Sequence, residues 1–209
     1  AMSGARLLAT WSFAARPCGD AFAALAGGGD PLDAAIAVAA AVEADPEVDS
    51  VGRGGLPDAD GLVTLDALVM RSPSELGAIA GLRDRLPAVR AARAVMERTP
   101  HVLVAGEGAD RLADAAGCTR AELLTDAARQ RWERRRARKD AAAAAAEPGG
   151  AGPAGPAGPA GPEGHGTEAA SGDDAPPRPV DRGRGALFDA GAAGHDTVCV
   201  IARGTDGRL

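Results

Sequence analysis

The chain has 209 residues, of which 45% are hydrophobic and only 2% aromatic, and its formal net charge is -6. That length suffices for one domain of moderate size. The acidic balance argues for solubility and against generic nucleic-acid binding, and the longest apolar helical run, Ala34 to Val42, is far too short to cross a membrane.

Alanine supplies much of the apolar fraction, so each buried side chain removes little area from water. Cys18, Cys118 and Cys199 lie far apart, without CxxC pairs. They give neither a disulfide framework nor a zinc signature. Free thiols fit a reducing cytoplasm, and Arg6 is followed by only a short apolar patch, not a secretory leader. His101, His165 and His195 lack metal-ligand spacing, so neither a metal nor a cofactor is expected.

Residues 6–139 have globular texture. Leu7 to Thr10 reads as a short strand leading into Trp11-Ser12-Phe13. A helix is expected from Cys18 to Ala26, stopped by Gly27-Gly28-Gly29. A second helix should begin at Asp30-Pro31, with Asp as N-cap and Pro at the first helical position. Leu32, Ile36, Ala39, Ala40 and Glu43 follow at helical spacing, the first four as the buried stripe. Ser50 to Gly61 is turn-rich. Val63 to Met70 reads as a strand and Leu86 to Arg98 as a helix with Pro87 in its first turn. His101 to Ala105 reads as a strand and Ala109 to Ala116 as a short helix ended by Gly117. Gly52-Arg53-Gly54-Gly55 lacks the strand–loop–helix setting and the Lys-Ser/Thr of a phosphate loop, so it reads as a tight turn.

Arg129 to Lys139 is a basic, helix-prone run with Trp132 as its one aromatic, and a solvated helix face is the favoured reading. Residues 140–186 read as a linker: six alanines, then a stretch of only Pro, Gly and Ala from Pro148 to Pro162, then polar, Pro-rich sequence. Its Gly-Pro-Ala triplets are too few for a stable triple helix. Order is expected to resume near Leu187. Thr197 to Ala202 has strand character, and Thr205-Asp206-Gly207 signals a turn into a return strand at Arg208-Leu209.

A strand that opens straight after a long linker is the layout an internally cleaved precursor needs. Threonine within a chain is a poor nucleophile. It becomes useful when its own α-amine, with an unperturbed pKa of about 7.7–8.0, is free to act as the local base. His195-Asp196-Thr197 fits that requirement, although the tripeptide alone is a weak signal.

Longer motifs add to it. Thr10-Trp11-Ser12-Phe13 resembles the Thr-Trp-Pro-Phe opening of glycosylasparaginases. Ser50-Val51-Gly52-Arg53-Gly54-Gly55-Leu56-Pro57-Asp58 is similar to that family's Ser-Val-Gly-x-Gly-Gly-x-Pro-Asp core. Gly61-Leu62-Val63-Thr64-Leu65-Asp66-Ala67-Leu68-Val69-Met70 resembles its Gly-x-x-Thr-Leu-Asp-Ala-x-Ile-Met. Gly77 to Ala80, Ala92 to Thr99, His101 to Glu107 and Gly194 to Val198 follow in order. The resemblance covers roughly residues 7–128 and 194–209.

It implies an α+β fold, the αββα four-layer sandwich of N-terminal-nucleophile hydrolases, incomplete here because most of the β chain is absent. It also implies self-cleavage at His195-Asp196-Thr197 into an α chain and a β chain. Thr197 then serves as nucleophile on the side-chain amide of a glycosylated asparagine or another β-aspartyl amide. Trp11 would pack at the substrate pocket and Ser50 would sit close to the nucleophile. The two chains would stay associated, as (αβ)2 in the complete enzyme.

Three departures stand against the family pattern: Arg71 where Asp is usual, Cys199 where Gly is usual, and an end about a dozen residues after Thr197. The family's Arg-x-Gly-Asp and Thr-Gly-x-Gly segments, for the substrate carboxylate and the oxyanion hole, come later. The chain alone is therefore expected to be inactive and poorly stable. Plant-type asparaginases and isoaspartyl peptidases are a second reading. They usually show Asn-Ala-Gly, Glu-Met-Asp-Ala and Gly-Thr at the corresponding places, and this chain matches none of the three. A non-catalytic remnant, or a piece needing a separate β chain, is the third.

Overall fold

Seven strands and five helices are laid down in a computed structural model that describes residues 4–146 and 197–207. The chain divides into two units, residues 1–141 with 194–209, and residues 142–193. All seven of the described strands belong to the first unit.

Strand β1 (Arg6–Ala9) runs into a 3-10 turn, Ser12–Ala14, and then helix α1 (Ala15–Ala26). The helix starts three residues ahead of the sequence expectation, because the 3-10 turn feeds directly into it. Helix α2 (Pro31–Ala44) begins as the Asp-Pro signal predicts: the Asp30 carboxylate accepts the Leu32 N–H at 2.8 Å. Its apolar side holds Leu32, Ala34, Val38, Ala39 and Val42, all buried. Ile36 and Ala40 are only half-buried, so the buried stripe is turned somewhat from the expected one. It ends on a buried acid, Glu43.

Strands β2 (Thr64–Ser72) and β3 (Glu75–Arg83) form an antiparallel hairpin, and β5 (Leu103–Ala105) pairs with β3 in parallel. Between them lie β4 (Arg85–Leu86) and helix α3 (Ala88–Arg98). The sequence pattern places Leu86 and Pro87 inside that helix. Instead Leu86 pairs with β6 (Thr119–Arg120) in a separate two-stranded sheet, and Pro87, in extended conformation, is the N-cap. Helix α4 (Glu107–Ala115) follows β5, and α5 (Asp126–Ala146) runs through the six alanines where the linker is expected to begin. The remaining linker residues, 147–186, lie outside the described residues, as do Leu187 and Arg208-Leu209. Strand β7 (Val200–Arg203) pairs antiparallel with β1, Leu7 opposite Ala202 and Ala9 opposite Val200.

The main core lies where α3 and α4 cover the β2–β3–β5 sheet. Ile79, Leu82, Ala91, Ala92 and Val95 are buried there. Gly77 makes the close approach possible, since a Cβ at that position would come within 2.4 Å of Met96 N and 2.5 Å of Ala92 O. A second cluster, Ala14, Val38, Val42 and Val48, seats β1 and β7 through Leu7, Ala9 and Val200. The β2–β3–β5 and β1–β7 sheets thus each have helices on one face. On the other face Leu8, Leu68, Met70 and Leu103 are each more than half exposed. The described part is α+β, with two layers.

Charged side chains fasten the hairpin to α4. Arg83 donates to Asp110 from its backbone N–H (3.1 Å) and from Nη2 (2.9 Å), and buried Arg85 donates to Asp114 from Nε (2.7 Å) and Nη2 (2.9 Å). Burial pushes the Asp110 carboxyl up, but the Arg83 hydrogen bonds and the charges of Arg83 and Arg85 outweigh it and hold it below the usual range. The hydrogen bond from Arg85 does the same for Asp114.

Candidate active site

Thr197 is exposed and sits at the entry to β7, three residues before the strand begins. Two residues just past the end of β1 fix it there. Trp11 donates its Nε1–H to the Thr197 carbonyl at 2.9 Å, across 186 positions of sequence. Thr10 clamps Cys199 from both sides: the Thr10 N–H donates to the Cys199 carbonyl at 3.0 Å, and the Cys199 N–H donates to Thr10 Oγ1 at 2.9 Å. Three hydrogen bonds therefore hold the stretch 197–199 against the end of β1, ahead of the regular ladder.

Trp11 is held in an unusual backbone conformation, φ 69° and ψ 147°. For a residue with a Cβ this region costs on the order of 1–3 kcal/mol. The strain is what turns the chain from β1 into the 3-10 turn, where the Ala14 N–H donates back to the Trp11 carbonyl at 3.2 Å. It also leaves the indole N–H aimed at Thr197. The ring is partly exposed, so it can form a wall beside Thr197.

Ser50 is half-buried in the turn-rich loop after α2. The loop reaches the same region through its neighbour: Val51 and Val198 pack against the same cluster of Ala14, Val38, Val42 and Val48. The loop is tight because of Gly52. Its φ is 63°, and a Cβ there would fall within 2.2 Å of the Glu43 carbonyl oxygen. His195 and Asp196, the other two residues of the expected cut site, lie outside the described residues.

Two of the sequence departures find places. Cys199 is exposed, so its side chain has room where the family pattern has Gly. Arg71 pairs with Asp30 at 2.9 Å. It lines a cleft of about 580 Å³ with Glu75, Thr205 and Asp206, beyond the opposite end of β7 from Thr197. The Arg71 change therefore falls at a place distinct from the candidate nucleophile.

The basic run in α5 is mostly exposed, as a solvated face would be, with two exceptions. Arg131 Nη2 donates to the Gly54 carbonyl and Trp132 Nε1 to the Asp58 carbonyl, each at 2.9 Å. Those two side chains bind α5 to the Gly-rich loop. Sequence reasoning misses Thr10 as a functional residue, although its place beside Trp11 in the motif is a usable signal. It also misses Glu43, whose signal is its helical spacing from the apolar stripe.

The amino-acid sequence itself matches a known family. The family profile described as asparaginase matches residues 13–209.

The chain belongs to the asparaginase family.

Relatives of this asparaginase-family chain carry a more specific name. It is 40% identical to the N(4)-(β-N-acetylglucosaminyl)-L-asparaginase of Elizabethkingia miricola over 127 residues, 61% of this chain and 37% of that protein. It is 39% identical to the mouse enzyme of the same name over 106 residues, 50% of this chain and 31% of that protein. A rat enzyme of that name matches equally, over 106 residues at 39% identity. The matched stretch thus spans about a third of the length of these curated relatives.

Proposed function

We propose that this chain carries the nucleophile and one wall of the substrate pocket of an autoproteolytically activated amidohydrolase of the glycosylasparaginase type. The bond from Trp11 to Thr197, formed across almost the whole chain, carries the proposal. It brings together the two residues that the motifs single out at opposite ends of the sequence. The names of the curated relatives support the substrate class.

Thr197 Oγ attacks the Asp196 carbonyl carbon. The Asp196–Thr197 amide bond breaks as an ester to Oγ forms, and the hydroxyl proton passes to the freed amine. Water hydrolyses the ester and leaves Thr197 as a new N-terminus. The free α-amine, with a pKa near neutral, then takes the Oγ proton as Oγ attacks the side-chain amide carbon of a glycosylated asparagine. The glycosylamine departs with that proton, a β-aspartyl ester remains on Oγ, and water releases aspartate. Fixing the Thr197 carbonyl limits the rotation of its Cα substituents, so the amine and hydroxyl meet the substrate with little further ordering.

The exposed faces of the sheets support the fold that goes with this chemistry. The apolar side chains of Leu8, Leu68, Met70 and Leu103 suit burial beneath a second sheet, completing a four-layer sandwich with the α and β chains held together. The product of the complete gene tests the function. Its intact mass is expected to resolve into two chains cut before Thr197. The cut protein should then release aspartate from N-acetylglucosaminyl-asparagine. Cut protein without that release counts against the substrate class. Aspartate release from an uncut chain counts against the N-terminal nucleophile.

A further inference from the structure

Glu43 closes α2 as a buried carboxylate, although nothing in the proposed reaction uses it. Its two oxygens accept from the first amides of α3: Ala88 N–H donates to Oε2 and Val89 N–H to Oε1, the latter at 3.1 Å. An anion at a helix N-terminus is favourably placed, because those amides have no partner within the helix. The main chain of the same residue holds the Gly-rich loop. The Arg53 N–H donates to the Glu43 carbonyl at 2.7 Å, and Gly52 lies so close to the Glu43 backbone that no side chain fits between them. One residue thus ties the end of α2, the start of α3 and the loop from Ser50 to Gly55.

We infer that Glu43 is a positioning residue for the candidate active site, setting the loop that carries Ser50 through the bonds it makes to α3 and to Arg53. The inference rests on the proposed function for its catalytic consequence, while its structural part stands alone. Ionised, both carboxylate oxygens accept an N–H. Protonated, one oxygen becomes an O–H donor and a weaker acceptor, and the grip on α3 loosens. Burial pushes this carboxyl up to about 7 against the two amide bonds, so the change falls near neutral pH.

Among the described residues the carboxylate has no ion-pair partner. Buried Arg85 on β4 is committed to Asp110 and Asp114, and Arg90 on α3 donates to the Gly117 carbonyl. The Cys118 thiol senses the Glu43 charge. It is pushed up mainly by burial and also by Glu43, against the pull of Arg90. On the loop side Asp49 and Arg53 are exposed.

Amide NMR on the product of the complete gene, titrated from about pH 5 to about pH 9, tests the inference. The amides of Ala88, Val89 and Gly52 to Gly54 are expected to shift with one shared midpoint, and Glu43→Gln should abolish that transition. Movement of Ala88 and Val89 with a still loop would overturn it, leaving Glu43 as a helix cap only. The wild-type titration decides the matter even if the variant does not fold. In the folded variant, self-cleavage should slow about tenfold and lose its dependence on pH around neutrality, with KM for the glycoasparagine little changed. An unchanged rate and profile also overturns the inference. If the wild-type protein never cuts itself, the functional reading fails while the shared midpoint still reports on Glu43.

Discussion

Around α3 the protein is dense and locally connected, whereas around Thr197 it is held by a few bonds between residues far apart in sequence. The β2–β3 hairpin meets α3 so closely that Gly77 tolerates no side chain, and Arg83 and Arg85 fasten its end to α4. The β1–β7 pair is four residues long, and three hydrogen bonds between Thr10 or Trp11 and residues 197 and 199 extend it to Thr197. The first region supplies stability. The second accepts strain at Trp11 and exposure at Thr197, which suits a nucleophile that must meet substrate. Glu43 stands between them, with its side chain on α3 and its main chain on the loop.

Substitutions should separate the two regions. The largest effect is expected in the first. Leu82 is fully buried, and Leu82→Ala should cost about 3–5 kcal/mol in urea unfolding. A loss near zero would mean that the α3 core is not the stable part. Glu43 comes next. Its folded pKa is raised from 4.5 to about 7, so the folded state binds its proton more tightly than the unfolded state does. Its contribution is full below about pH 4.5 and is lost as pH rises through about 7, a decline of about 3 kcal/mol. Unfolding free energies measured at about pH 4.5 and about pH 8 should show the drop in wild type and lack it in Glu43→Gln.

Trp11→Phe should behave in the opposite way to Leu82→Ala. It keeps a ring but removes the indole N–H from Thr197, at about 1 kcal/mol or less in stability. It should slow self-cleavage by about fivefold or more, followed by mass spectrometry over time. If stability falls as far as for Leu82→Ala, the two regions are not separable. The smallest effect belongs to the exposed face of α3. Arg93 bonds Glu97 at 2.7 Å, one helical turn on, and also pairs with Asp33. Glu97→Ala should change stability by about 0.5 kcal/mol or less and leave cleavage untouched.

Much of the first region is legible in the sequence. The Asp30-Pro31 start of α2, the largely apolar run from Val63 to Met70 and the spacing of Val89, Ala92 and Met96 each carry a local physical signal. Strand β3 carries less. Its Glu75 to Arg83 stretch is rich in Gly and Ala, which have little strand preference, and Gly77 is there to let α3 approach. Pro87 points to a helix start, but the sheet partner of Leu86 lies more than thirty positions away at Thr119, beyond local patterns.

The site is legible in a different way. No periodicity singles out Trp11 or Thr197; their motif does, and the structure places the one against the other. Glu43 escapes such a reading because its side chain binds main-chain amides of residues far away in the sequence. An acid at the end of an apolar stripe looks like a boundary until the amides of Ala88 and Val89 are found facing it.

The central claim is that Thr197 becomes an N-terminal nucleophile by self-cleavage. Intact-mass measurement of the purified product of the complete gene, beside its Thr197→Ala variant, tests it most directly. The account predicts a wild-type protein cut between Asp196 and Thr197 and a variant that stays whole. A wild-type protein that stays as uncut as the variant would contradict it.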